Sequence, residues 1–78
     1  MHILSAVQPI ANYKLECTFD GGTKKIADLS SYLESQAFKP LLQPNAFNKI
    51  SNNQYFVEWA EFELDLSADT LWHIGKKV

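Results

Sequence analysis

One alternating stretch constrains this chain more than anything else in it. In Tyr13-Lys14-Leu15-Glu16-Cys17-Thr18-Phe19 apolar and polar side chains take turns, and Asp20-Gly21-Gly22 follows at once. A period of two puts Tyr13, Leu15, Cys17 and Phe19 on one face of a strand, and that face has to be buried. The glycines supply the positive φ that a tight hairpin turn demands. Thr23–Asp28 is then the return strand, with Ile26 as its main apolar contact. A short apolar run, Ile3 to Val7, closed by Gln8-Pro9, precedes the hairpin and reads as a further strand.

The middle of the chain predicts helix in short pieces. Ser31 and Glu34 have capping-box spacing, and Leu29, Tyr32 and Leu33 fall on one helical face. Pro40 soon ends that helix. Leu41-Leu42 reads as a buried link, and Pro44 opens a second short helix, Asn45 to Asn48, with Phe47 pointing inward. Ser51-Asn52-Asn53 reads as a turn.

Strand signals return in the last third. Tyr55, Val57 and Trp59 alternate with Phe56 and Glu58; then Phe62, Leu64 and Leu66 alternate with Glu61, Glu63 and Asp65. The buried parity changes between Trp59 and Phe62, which predicts a bend, bulge or turn near Ala60-Glu61. Ser67 is placed to cap a final helix carrying Leu71, Trp72 and Ile74, with Asp69 in its first turn. Gly75 ends it, and Lys76-Lys77 suit a helix C-terminus. The expectation is one α+β domain over residues 1–78, with an antiparallel sheet of about four to five strands and short helices.

Composition limits what such a domain can do. At 78 residues and 46% apolar types, it has the material for one modest core. No apolar run approaches the roughly 20 residues of a membrane span. Cys17 is the sole cysteine, so no disulfide forms within the chain. A lone thiol, and an N-terminus without the features of a signal peptide, lead us to expect a cytoplasmic protein. The chain carries seven lysines, nine acids and no arginine, for a net charge of −2. Arginine makes the bidentate contacts to phosphate and guanine, and lysine does not replace it. Residues 50–75 hold Glu58, Glu61, Glu63, Asp65 and Asp69 and no lysine, a segment that repels a phosphate backbone. Nucleic-acid binding by the single chain is therefore not expected.

Candidates for chemistry are few. Cys17 lies on the apolar face of its strand, whereas reactive thiols need an exposed electropositive setting. His2 and His73 read as surface histidines, and with Cys17 they are a poor metal-ligand supply. The five acids of the last third alternate with apolar residues, as the wet face of a strand does. Asp20-Gly21-Gly22 reads as a turn, because the downstream Gly-Lys-Ser/Thr of a phosphate-binding loop is missing. No catalytic residue, cofactor or metal is expected. The tryptophans are better candidates, since tryptophan is enriched at binding hot spots. Set among carboxylates, they suit a protein partner with a basic surface. The candidate partner-binding residues are Glu58, Trp59, Glu61, Glu63, Asp65, Asp69 and Trp72. A second copy of the chain is the other partner considered.

The ordered signals have a family likeness. Val7-Gln8-Pro9, Tyr13-Lys14-Leu15, Thr18-Phe19, the glycine turn and Asp28-Leu29 resemble the opening of the bacterial DUF2442 family. Tyr32-Leu33-Glu34, Phe38-Lys39-Pro40-Leu41, Pro44 and Phe47 are similar to its middle, and Trp59 with Leu64 through Trp72 to its closing motif. The chain departs from the family pattern at Gln36, where many members have glycine. It departs again at Ala60-Glu61-Phe62-Glu63, where many have a Pro-Asn-Gly-type turn. The resemblance implies a small α+β domain, sometimes extended by a helix-turn-helix, some of whose relatives are similar to antitoxins encoded beside small toxin-like proteins. Function is accordingly expected to be that of a non-enzymatic protein-interaction module, an antitoxin-like subunit of an operon pair. The alternative is a DNA-associated transcriptional regulator acting as a dimer, with Lys24 and Lys25 as its DNA contacts.

Overall fold

The computed structural model describes all 78 residues, Met1–Val78. Strands β1 (Leu4–Ile10), β2 (Lys14–Phe19) and β3 (Lys24–Asp28) form an antiparallel meander. A second, three-stranded antiparallel sheet contains β4 (Ser51–Asn52), β5 (Phe56–Trp59) and β6 (Leu64–Ser67). The single α-helix, α1 (Ala68–Ile74), follows β6, and β7 (Lys76–Lys77) then returns to the edge of the first sheet beside β3. The expected α+β class is what forms. Its strands are divided between two sheets, which alternation alone does not reveal.

The alternating stretch does what its period requires. Leu15, Cys17 and Phe19 are buried, and across the hairpin they face Ala27 and Lys25. Ile26 consequently lies on the opposite, outer face, half-buried, and Ala27 takes the inward position expected of Ile26. Tyr13 is not part of β2. It sits in the preceding turn at φ 59°, next to Asn12 at φ 66°. A tyrosine in the left-handed region is uncommon. Two contacts hold it there: its ring meets Phe47 edge-on at 5.4 Å, and its carbonyl accepts the Leu29 N–H at 3.0 Å. β1 extends through Gln8-Pro9 to Ile10. Its place at the sheet edge is where a residue without an N–H is tolerated.

The middle segment is tighter than the sequence suggests. Tyr32–Glu34 and Lys39–Leu42 are 3-10 turns, and Ser31 makes no side-chain capping bond. Residues 44–48 form turns in place of the expected second helix, with Asn45 at φ 66°. Phe47 still points into the core, and so does Leu41, while Leu42 is half exposed. Ser51-Asn52 pairs as β4, where a turn was expected.

The core fills the space between the two sheets. Leu4, Leu15, Cys17, Phe19 and Ala27 come from one side, Val57 and Trp59 from the other, with Leu29, Leu33, Leu41 and Phe47 from the connecting segments. Helix α1 packs against β3, β5 and β6 and adds Ala68 and Leu71. Its cap is as the sequence predicts: the Thr70 N–H donates to Ser67 Oγ at 3.1 Å. Gly75 is required by close approach. A Cβ there would lie 2.7 Å from the Leu71 carbonyl oxygen and 2.9 Å from Lys25 Cβ. The sheets are also tied at β1, where the Leu4 N–H donates to the Gln54 carbonyl and Asn52 Nδ2 donates to the Leu4 carbonyl.

Candidate functional site

The parity switch builds the acidic face. β5 sends Val57 and Trp59 inward, so Phe56 and Glu58 turn outward. The chain then makes a 3-10 turn over Ala60–Phe62, with Glu63 left-handed at φ 56°. That insertion restores the inward parity for Leu64 and Leu66 and leaves Asp65 outside. Glu58 and Asp65 are paired directly across β5 and β6, and Phe56 faces Ser67 one step along. Two like charges opposite one another weaken a sheet. Glu58 is partly compensated by Asn53, whose Nδ2 donates to Oε1 at 2.7 Å. Glu61 and Glu63 are exposed on the turn at the end of the same hairpin, and Glu61 takes Lys49 Nζ at 3.1 Å. Phe56 is 37% exposed, the one large apolar side chain on this face.

Not all the residues proposed from sequence meet there. Glu58, Glu61, Glu63 and Asp65 share the β5–β6 hairpin. Trp59 does not reach a surface. It is fully buried, and its indole Nε1–H donates to the Phe47 carbonyl at 2.9 Å. Its placement among partner-contacting residues is corrected: the alternation that puts Glu58 outside puts Trp59 inside. The aromatic available to a partner is Phe56, and that same alternation was the signal for it.

Asp69 and Trp72 belong to a second cluster, on α1. Asp69 Oδ1 accepts the His2 main-chain N–H at 2.7 Å and lies 2.9 Å from His2 Nδ1. These bonds hold the Asp69 carboxyl below the usual carboxylate range. The His2 ring stacks on Trp72 at 4.1 Å, and Phe19 meets Trp72 edge-on at 5.0 Å. Lys25 Nζ stands 3.9 Å from the Trp72 ring centroid and donates to the Trp72 carbonyl at 2.8 Å. A parallel ring already covers one face of the indole, so the ammonium takes the other. Lys25 is 9% exposed, which removes it from the DNA contacts suggested by sequence. An ammonium near helix carbonyls is a favourable end to α1. Only the register of β3, which aims Lys25 inward, distinguishes it from Lys24.

Cys17 lies at the far end of the reactivity scale from a nucleophile. Burial, aided by Glu16, pushes its thiol up to about 11. It stays protonated at neutral pH.

The model for a protein of unknown function (DUF2442) matches residues 4–77. The chain belongs to the DUF2442 family. No curated protein and no solved structure matches it. The family description carries no activity, so the roles of residues in this DUF2442 domain rest on its own geometry. No helix in it is long and apolar enough to cross a membrane.

Proposed function

We propose that this DUF2442 domain is a non-enzymatic protein-interaction module that docks a partner with a basic surface on the outer face of β4–β6. In the bacterial setting implied by its family, it would serve as the antitoxin-like subunit of an operon pair. The observation that carries this reading is the direct opposition of Glu58 and Asp65 beside the exposed ring of Phe56. A lysine or arginine placed between the carboxylates relieves their repulsion, and its aliphatic stem covers the ring. Glu61 and Glu63 extend the same sign of charge along the hairpin.

The regulator alternative draws less support. Lys14, Lys24 and Lys76 share the outer face of the first sheet, but Glu16 and Asp28 lie among them, with Asp28 directly across from Lys14. Mixed signs make a weak footprint for a phosphate backbone.

The test is to isolate the tagged protein from its own cells at low salt beside its Asp65→Lys variant. A stoichiometric small basic protein that accompanies the native chain and is lost from the variant is the expected result. Recovery of the bare chain in both, or equal retention by both, overturns the reading.

A further inference from the structure

Four strands end a sheet in this molecule: β1 and β7 in the first, β4 and β6 in the second. β4 and β7 are two residues each. β1 is guarded by a register shift between Leu4 and Ala6 and by Pro9, two devices that discourage further pairing. β6 has neither. Its register with β5 is unbroken from Leu64 to Ser67, and it contains no proline. Outside that ladder, Leu64, Asp65 and Leu66 make no main-chain hydrogen bond. Alternate residues of an antiparallel strand turn both N–H and C=O away from the partner, so β6 presents unused donors and acceptors along its outer edge. The inner row points the same way. Leu64 and Leu66 pair across the ladder with Trp59 and Val57. Trp59 and Val57 are fully buried, whereas the two leucines are only half-buried. All four face inward, but β5 has a neighbour on each side and β6 has one.

We infer that an extended segment of another protein, with basic and apolar side chains in alternation, adds to β6 as a fourth strand of the second sheet. The inference rests on the acidic-face reading and specifies how that partner is held. In such a segment every second side chain turns to the inner face, over Leu64 and Leu66, and the others turn outward beside Asp65. Basic outer residues then lie one strand away from Asp65 and two from Glu58, the pair whose repulsion they relieve. A helix does not satisfy this edge, because its own N–H and C=O groups are bonded internally. A second copy of this chain does not fit either. β6 against β6 sets Asp65 and Glu63 of one copy against those of the other, and the lysine-bearing strands β2 and β3 are already paired on both sides.

The probe is an end-capped peptide of about six residues, the length of an ordinary strand, in which valine alternates with lysine. It is titrated into the isotope-labelled full chain at low salt and followed by amide NMR. Three controls accompany it: the same composition with valines and lysines in two blocks, and the alternating peptide N-methylated either at its valines or at its lysines. Each methylation removes the main-chain donors of one edge and leaves the other edge intact. The alternating peptide should bind and slow hydrogen exchange of the outward amides of β6. One methylated form should fail and the other should bind. The blocked peptide should bind about tenfold more weakly, as loss of two ladder hydrogen bonds does. Asp65→Lys should weaken the alternating peptide by a similar factor. Equal binding by the alternating and blocked peptides, with both methylated forms active, would overturn strand addition and leave the acidic-face reading standing. Binding that Asp65→Lys leaves unchanged, with one methylated form inactive, would overturn the acidic-face reading and the basic half of this inference with it. No binding by the alternating peptide would overturn the inference outright, and co-isolation from the native cells would still decide the acidic face.

Discussion

Trp59 is closed in by the rings of Phe38 and Phe47, while Trp72 is held between an imidazole and an ammonium. Residue type and approximate position are alike in the two, yet the forces differ in kind. Trp59 is fully buried against two phenyl rings and makes one hydrogen bond, to a main-chain carbonyl. Around Trp72 the contacts come from a histidine near the N-terminus, a lysine of β3 and a core phenylalanine, and the indole stays half-buried. The first site is a piece of core. The second is a clasp in which polar groups fasten α1 to the first sheet and to the N-terminal residues.

Replacement separates the two most sharply. Trp59→Ala opens a cavity at the centre of a small core and should cost about 3–5 kcal/mol, much of what a domain this size possesses. We expect the variant to be unfolded or to lose most of its urea midpoint. Trp72→Ala should be milder, because its site is partly wet. Equal losses from the two would erase the distinction.

Lys25 probes the clasp alone. Lys25→Met keeps the stem against Gly75 but removes the ammonium from the Trp72 ring and carbonyl. The expected loss is about 1–2 kcal/mol in urea unfolding, from one charge-assisted hydrogen bond and one cation–π contact. The same substitution at Lys24, which is exposed, should change nothing measurable. Were the two variants equal, the inward register of β3 would be without energetic consequence.

Acid should loosen the clasp before the core. Asp69 is held below its ordinary range by the bonds from His2, so the folded state binds its proton less readily than the unfolded chain does. That contribution is present above the unfolded carboxyl value of about 4 and is lost as pH falls through the lower folded value. Asp28, lowered by its bonds from Ser30, acts in the same direction. Melting temperature should therefore drop as pH falls below about 4, and Asp69→Asn should flatten part of that slope. A slope unchanged by Asp69→Asn would mean that the His2 bonds do not persist in solution.

These contrasts also mark where sequence reasoning reached and where it stopped. The hairpin of β2 and β3, the parity change before Phe62, the Ser67 cap and the inward Phe47 follow from local periodicity and turn chemistry, and the structure has each of them. Lys25 and Ile26 were reversed, because a five-residue strand with one strong hydrophobe gives no secure parity until its partner's register is known. The spacing in the middle segment predicts helix where the chain makes 3-10 turns. Pro40 limits the first predicted helix to about two turns, and a helix so short has no stability of its own. Within the candidate site, alternation shows Glu58 and Asp65 turned outward, whereas a rule about residue types says nothing of which face a strand buries, and Trp59 lies inside. The His2–Asp69 contact joins positions at opposite ends of the chain, and no local pattern announces it.

A small stability effect carries the most functional information. Asp65 lies opposite Glu58 on the outer face of β5–β6, and the two repel. Asp65→Lys turns the repulsion into an attraction, and cross-strand pairs of this kind are worth about 0.2–1 kcal/mol. The variant should thus melt at the same temperature as the native chain or slightly above it. If the acidic face is the docking surface, the same change should sharply reduce capture of a basic partner, because it places a like charge in the interface. A fold left intact or strengthened, with binding lost, is what a surface kept for recognition predicts. A face that serves only to keep a strand wet would gain stability from the change and lose nothing.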